Sequence, residues 1–277
     1  MAAHHVHPMA AALPVVFELC TTDITSLEPP GPFFAVVPRA AYLHCSAVDA
    51  VAYFARFSAA AAAADGAGER RVWFEDTLRG EALRWHVPTG VMYDARSAAG
   101  DDLPWRITVH LRGYPRDTLL PCKGDEDVRW KYLNSLKQAT FLQHGSAMPI
   151  MSLAKAKQAQ LWDAVRTGDG AKCRAVLAAL GGAEEQRHVP VRIVVGSEPT
   201  VQAPIPARRS DGERHTLRSA LALALPDLVV ADEDCATPPD EALAAVVQGL
   251  RPPLDAPLEL LHEELRHPDL FLYVVVR

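Results

Sequence analysis

Trp105–Arg112 alternates without a break: Trp105, Ile107, Val109 and Leu111 point one way, and Arg106, Thr108, His110 and Arg112 the other. That period of two describes a strand with one buried and one wet face. A second strong strand, Leu270–Val276, lies at the other end of the sequence. Its continuous apolar run reads as a strand covered on both faces or lying centrally in its sheet. Each of the two closes a similar series of elements, and that recurrence limits the chain to few architectures.

In the first series, Leu13–Cys20 reads as a strand, Pro29-Pro30-Gly31-Pro32 as a turn and Phe33–Val37 as a second strand. Ser46-Ala47-Val48-Asp49 has the pattern of a capping box, opening a helix that carries Val51, Phe54 and Phe57. That helix is expected to fade into Ala59–Ala64 and to end at Asp65-Gly66-Ala67-Gly68, a disordered loop tip. Val72–Glu75 and Leu83–Val87 read as short strands joined by a turn at Arg79-Gly80. In the last series, Val189, Val191, Ile193 and Val195 alternate, and the prolines of Thr200–Ile205 mark an edge strand. Thr216 opens a helix over Leu217–Leu225, closed by Pro226, and Leu228–Val230 is short and extended. Pro239–Gly249 fits a helix or a loop, and Pro257 suits the first position of a helix ending at His267-Pro268. Between the two series, helices are expected over Asp125–Leu142, from Ser152 through Leu161, Trp162 and Val165, and from near Asp169 to Gly181-Gly182.

A hairpin, a crossover helix and a return strand make a small mixed sheet with one covered face, the ubiquitin-like β-grasp arrangement. The expected class is therefore α+β: two ubiquitin-like β-grasp domains flanking a helix-rich domain. The boundaries read as a flexible tail over 1–12, a first ubiquitin-like domain over 13–114, a helix-rich domain over 115–187 and a second ubiquitin-like domain over 188–277. The two halves share an order of elements but no residue strings.

Composition removes several function classes. With Lys+Arg 28 against Asp+Glu 34 the net charge is −6, which argues against a globally basic nucleic-acid binder. There is no uninterrupted apolar run of about 18 residues for a membrane span. The start of the sequence has His4, His5 and His7 but no Lys or Arg, and Pro14 interrupts the short apolar run that follows, so it does not read as a signal peptide. Five scattered cysteines without a C-x-x-C point to a reducing compartment, the cytosol, and finger spacing for zinc is lacking. The histidines of the tail read as a floppy segment. No nucleophile elbow, P-loop, dinucleotide fingerprint or H-E-x-x-H occurs, so no catalytic residue, cofactor or metal is expected. A Cys122–His110 thiol dyad is the remaining enzymatic option.

The strings Val72-Trp73-Phe74-Glu75, Leu83-Arg84-Trp85-His86-Val87-Pro88-Thr89-Gly90 and Leu103-Pro104-Trp105-Arg106-Ile107-Thr108-Val109-His110 resemble the autophagy protein 5 family. Asn134-Ser135-Leu136-Lys137-Gln138-Ala139, Gln160-Leu161-Trp162, Val189-Pro190-Val191-Arg192-Ile193, His215-Thr216-Leu217 and the terminal Pro257–Leu272 stretch continue the resemblance in order. Ala59–Ala64 and Pro206–Glu213 have no counterpart. The resemblance implies that Lys137 receives the C-terminal glycine of the ubiquitin-like autophagy protein 12 as an isopeptide. It implies a bound helix of autophagy protein 16 and an E3-like complex acting on the E2 enzyme of autophagy protein 8, in the cytoplasm and at the phagophore membrane. The rival reading is an adaptor that binds its ubiquitin-like partner non-covalently.

On a helical wheel, Trp130, Leu133, Leu136 and Phe141 share a side, and Lys137 falls among them. A lysine within an apolar stripe is costly unless its amine reaches water or a partner. An ordinary amine, with a pKa of about 10.4, must lose its proton before attacking a thioester. The lysine is therefore a substrate nucleophile that the carrier enzyme activates. Asn134, Ser135 and Gln138 are small or neutral and leave room for a docked partner. Arg84 and His86 alternate with Leu83, Trp85 and Val87, so they are expected to face solvent as part of a partner surface. Trp73, Trp85, Trp105, Trp130 and Trp162 read mainly as core. Arg70-Arg71, Lys155, Lys157 and Arg208-Arg209 read as solvated charge, with peripheral contact to anionic lipid as the other use.

Overall fold

The computed structural model describes residues 11–59, 72–97, 103–178, 186–196, 198–226 and 244–277. The tail histidines, most of the alanine run, Arg70-Arg71, Gly181-Gly182, Leu228–Val230 and the first half of Pro239–Gly249 lie outside them.

The first sheet contains β1 (Ala12–Leu19), β2 (Phe33–Pro38), β3 (Trp73–Asp76), β4 (Glu81–Ala82) and β5 (Trp105–His110), in the order β2-β1-β5-β3-β4. β1 and β5 run parallel at the centre, and the outer strands pair antiparallel to them. Phe17, Leu19, Ile107, Val109 and Phe74 face the core, as the period-two pattern requires. Asp76 secures the turn after β3: its Oδ1 accepts from the N–H groups of Leu78 (3.0 Å) and Arg79 (3.1 Å). Its Oδ2 accepts from Trp105 Nε1 at 3.0 Å, tying the turn to the central strand.

The helical elements of this half differ from the sequence reading. Helix α1 (Leu43–Ser46) begins before Ser46, and α2 (Val48–Phe54) is preceded by Ala47 with no side-chain cap. Ser46 Oγ has no partner, so the expected capping box does not form: the chain turns helical early enough to place Ser46 inside α1. Leu83–Val87 is not a strand. One bond from Leu83 N to Phe74 O continues the sheet, and the chain then turns at Arg84–Val87 and enters α3 (Thr89–Arg96) after Pro88. Glycine is a weak helix former, yet Gly90 sits in the first turn of α3. A Cβ at Gly90 would lie 2.8 Å from Arg39 Cβ, so tertiary packing places the glycine in a helix against local preference.

The middle block holds α4 (Asp125–His144), α5 (Met148–Met151), α6 (Lys155–Thr167) and α7 (Gly170–Ala178). The helix expected to start at Ser152 is broken there, with α5 ending at Met151 and α6 starting at Lys155. The second sheet combines β6 (His188–Val195), β7 (Val201–Pro206), β8 (Ala245–Val246) and β9 (Leu272–Val276), in the order β7-β6-β9-β8. β6 and β9 are parallel and β7 is an edge strand, repeating the arrangement of the first sheet. Helix α8 (Leu217–Ala224) has a true capping box: Ser219 N donates to Thr216 Oγ1 (3.2 Å) and Thr216 N to Ser219 Oγ (2.9 Å). Pro257 precedes α9 (Leu258–Leu265) as its cap rather than opening it.

Every residue of β9 is buried. Val189, Val191, Ile193, Leu272 and Val274 pack with α8 and α9 on one face. Val194, Tyr273 and Val275 on the other face, with Phe271 just before β9, join a core that continues through α4 into the first sheet. Each fully buried apolar side chain contributes roughly 1.5–3 kcal/mol, so the second sheet depends on both layers. Among the described residues, no helix is long and apolar enough to cross a membrane.

Three histidines are covered to different degrees by this framework, His262 fully. Burial holds His44, His86 and His262 down to a pKa of about 4. Each is neutral in the folded chain at pH 5 but protonated in the unfolded one, so the unfolded state binds more protons between pH 6.5 and 4. Stability is expected to fall as pH drops through that window, on the order of 3 kcal/mol for a fully buried imidazole such as that of His262. Urea unfolding at a series of pH values measures the slope, and His262→Gln should flatten it.

Candidate functional site

Helix α4 is set at both ends by local chemistry. Asp125, Glu126 and Asp127 occupy its first turn, where the helix dipole favours negative charge. It stops at Gly145, which has φ 75° and donates its N–H to Phe141 O at 2.7 Å. That left-handed backbone is one that side-chain-bearing residues rarely adopt, so glycine is favoured at 145.

Which face of α4 points outward is decided by what it packs against. Val128, Tyr132, Leu133, Leu136 and Ala139 are buried. Tyr132 donates its hydroxyl to Pro268 O at 3.2 Å. Trp130 and Phe141 are more than half exposed, at 57% and 56%. The wheel thus grouped residues that the structure separates: Leu133 and Leu136 turn inward, and Trp130 and Phe141 turn outward. Positions 130, 134, 137, 138 and 141 form one outer stripe. Asn134 and Gln138 are exposed, and Lys137 is half-buried at a position between Trp130 and Phe141 along the stripe. Among the described residues, no hydrogen bond or ion pair engages Lys137 Nζ.

Ser135 corrects the expectation of an open neighbour. It is 2% exposed and accepts a bond from Arg192 Nη1 at 3.1 Å. Arg192 rises from β6 and is itself almost fully buried. Its Nη1 also donates to Tyr273 Oη (2.8 Å) and pairs with Asp269 Oδ2 (3.3 Å). Its Nη2 reaches Gln138 Oε1 and Gln202 Oε1, both at 3.2 Å, and the guanidinium lies 3.7 Å from the centre of the Phe271 ring. One side chain therefore joins α4 to three strands or strand ends of the second module. The alternation of β6 gave the signal, a single arginine on the face opposite Val191 and Ile193, but its partners are distant in sequence.

Arg84 and His86 do not stand free in solvent. Both are half-buried where the turn after β4 meets the second module. Arg84 Nη1 donates to Glu198 O at 3.2 Å. His86 Nδ1 is sealed with no partner; its low pKa comes first from burial, then from Lys131, Arg84 and Arg192. Lys131 is half-buried on α4, and its amine is made less basic first by burial and then by Arg192. Arg84 also lines a groove of about 460 Å³ between the two sheets. Val91, Met92 and Val194 give this groove an apolar floor, and Glu75, Glu81 and Arg96 give it charged walls.

The thiol option has no geometry behind it. Cys122 is buried, its Sγ points to Gly124 O (3.7 Å), and burial pushes its pKa up to about 11. His110 instead stacks on Trp73, with ring centres 3.6 Å apart, and faces Glu75 Oε2 at 3.4 Å. Of the other tryptophans, Trp85, Trp105 and Trp162 are core residues.

Two ubiquitin-shaped sheets around a helical block define the class, a protein built of paired ubiquitin-like modules. Family models agree with this division. "Autophagy protein ATG5, UblA domain" matches residues 9–111, "alpha-helical bundle region" 125–180 and "UblB domain" 188–276. Autophagy protein 5 of rice (Oryza sativa subsp. indica) is 38% identical over 158 residues, which is 57% of this chain and 39% of that protein. The chain thus spans about two fifths of the plant relatives it matches. The Aspergillus fumigatus protein is 29% identical over 96% of this chain and 92% of its own length. The crystal structure of Kluyveromyces marxianus Atg5 superposes with a TM-score of 0.77 at 21% identity, covering 98% and 97% of the two chains. The chain belongs to the autophagy protein 5 family.

The Arg192 hub has a measurable consequence. Arg192→Ala takes the guanidinium from buried Asp269, which keeps His267 Nδ1 at 3.0 Å and the Tyr273 hydroxyl, and unties α4, with an expected cost of about 3 kcal/mol in urea unfolding.

Proposed function

We propose that the chain is a non-catalytic scaffold whose Lys137 accepts the C-terminal glycine of a ubiquitin-like modifier, autophagy protein 12. The observation that carries this reading is the outer stripe of α4, with a lysine, its amine free of partners, at a position between two exposed aromatic residues. Trp130 and Phe141 leave more than half of their surface uncovered and suit the anchors of a docked protein. In the reaction, the deprotonated Nζ attacks the thioester carbonyl carried by the E2 enzyme. The C–N bond forms, the C–S bond breaks, the E2 thiolate leaves and the amine's extra proton passes to solvent. Asn134 and Gln138 border the amine from the same face, whereas Ser135 serves the site from behind through Arg192.

The groove between the sheets suits an amphipathic helix, with apolar side chains on Val91, Met92 and Val194 and charged ones at the walls. This is where autophagy protein 16 is proposed to bind, with Arg84 among its contacts. The resulting complex acts in the cytoplasm and at the phagophore membrane, as an E3-like stimulator of autophagy protein 8 transfer to lipid.

Coexpression with the modifier and its E1 and E2 enzymes tests the acceptor. A denaturation-resistant shift on a gel is expected, lost in Lys137→Arg and kept in Lys131→Arg. Retained copurification without any shift in the wild type would overturn the covalent reading. The double variant Trp130→Ala/Phe141→Ala should reduce the shift, while its unfolding free energy stays within about 1 kcal/mol of the parent because both rings are exposed.

A further inference from the structure

Because β1 and β5 run parallel, their carboxyl ends emerge side by side. Cys20 follows β1, His110 ends β5, and Asp23 closes the turn of 3-10 helix, Thr21–Asp23, that leaves β1. The Cys20 Sγ, an Asp23 carboxylate oxygen and a His110 ring nitrogen all lie within 4.8 Å of one another. The backbone beneath them is fixed: Cys20 N donates to Val109 O and Asp23 N to Cys20 O, both at 2.9 Å.

Each of the three side chains is prepared to coordinate. The His110 ring lies flat on Trp73, only 9° from parallel, and its Nε2 faces Glu75 Oε2 at 3.4 Å. A carboxylate there favours the tautomer with its proton on Nε2, which leaves a lone pair on Nδ1. Among the described residues no hydrogen bond engages His110 Nδ1. Burial makes this imidazole less basic than usual, against the pull of Glu75 and Asp23, so it is neutral at physiological pH. Cys20 is a half-buried free thiol with its Sγ 3.2 Å from the Thr22 hydroxyl. The oxygens of Asp23 accept from Arg112 Nε (2.6 Å) and Leu111 N (2.7 Å), which orients the carboxylate and leaves a lone pair on each oxygen. With the thiol ionised, Cys20, Asp23 and Glu75 against Arg112 leave a charge of −2, which one divalent cation cancels.

We propose that Cys20, Asp23 and His110 bind a zinc ion, with water in the fourth position. Thiolate sulfur, imidazole nitrogen and carboxylate oxygen are donors that zinc takes, and tetrahedral bonds of about 2.0–2.3 Å set the donors about 3.3–3.8 Å apart. Rotation of the half-buried Cys20 side chain closes the remaining gap. The thiol proton leaves to solvent, so affinity rises with pH. No finger spacing announces this set along the sequence, because it is the pairing of β1 with β5 that brings Cys20 to His110. The ion joins the turn after β1 to the end of β5 and stabilises the folded chain by mass action.

The full chain, stripped with a chelator, is titrated with zinc against a competing chromophoric chelator, and separately with cobalt(II). One zinc bound, a raised melting temperature and a thiolate-to-cobalt charge-transfer band in the near ultraviolet are expected. Cys20→Ser should abolish the band and weaken zinc binding by about tenfold or more. His110→Phe keeps an aromatic ring on Trp73 and should weaken zinc binding to a similar extent. The triple variant His4→Ala/His5→Ala/His7→Ala should bind zinc as the parent does. A parent chain with no cobalt–thiolate band and no zinc-dependent rise in melting temperature overturns the site. So does a band that survives Cys20→Ser, a zinc affinity indifferent to His110→Phe, or binding lost in the triple variant.

Discussion

The Arg192 guanidinium is the constraint on which the arrangement of this molecule turns. A charge placed among β6, β9 and α4 has lost most of its hydration, and such a group is tolerated only when its donors are satisfied. Here Asp269, Tyr273, Ser135, Gln138 and Gln202 satisfy them, and the Phe271 ring lies against the guanidinium plane. An apolar pair of similar volume fills such a space at no greater cost, so the network's contribution is better described as specificity than as stability. It admits one rotation of α4 about its axis. In that rotation Ser135 is inside and the stripe from Trp130 to Phe141 is outside, and the half-buried lysine in the middle of that stripe keeps an amine clear of the protein's own acceptors.

The same economy governs the second sheet. Its central strands β6 and β9 are buried on both sides, so it cannot be a free-standing domain with one wet face. One face is closed by its own helices, and the other is closed by α4 and the first module. The three parts therefore share a core, and the spaces left between them are defined clefts rather than hinges. Asp94 belongs to this logic: it joins Arg39 of its own module to Gly249 of the other.

Much of this was readable from residue order. The strand of Trp105–His110, the edge character that prolines confer on β7, the Thr216 cap and the covered strand at Leu272–Val276 follow from local patterns, because a period or a cap is a local property. The failures share a cause. Ser46 has the chemistry of a cap, but the chain had already turned helical. Leu83–Val87 has the alternation of a strand, but after one bond from Leu83 N to Phe74 O the chain turns toward α3. Arg84 and His86 alternate like solvent-facing residues and are covered by a module that begins a hundred residues later.

Position 137 was legible as a motif and as an oddity on a wheel, since a lysine amid apolar side chains is conspicuous wherever it occurs. The wheel does not say which of those apolar residues are buried, because a helix has no inside until something packs on it. Contacts from β6 and the Pro268–Asp269 turn made that choice, sending Leu133 and Leu136 in and Trp130 and Phe141 out. Sequence by itself determined the elements, their order and the identity of the lysine, for these depend on spacing along the chain. Tertiary structure alone decided what surrounds its amine and which polar groups meet in the clefts, for these depend on side chains that distance along the chain keeps apart until the core closes.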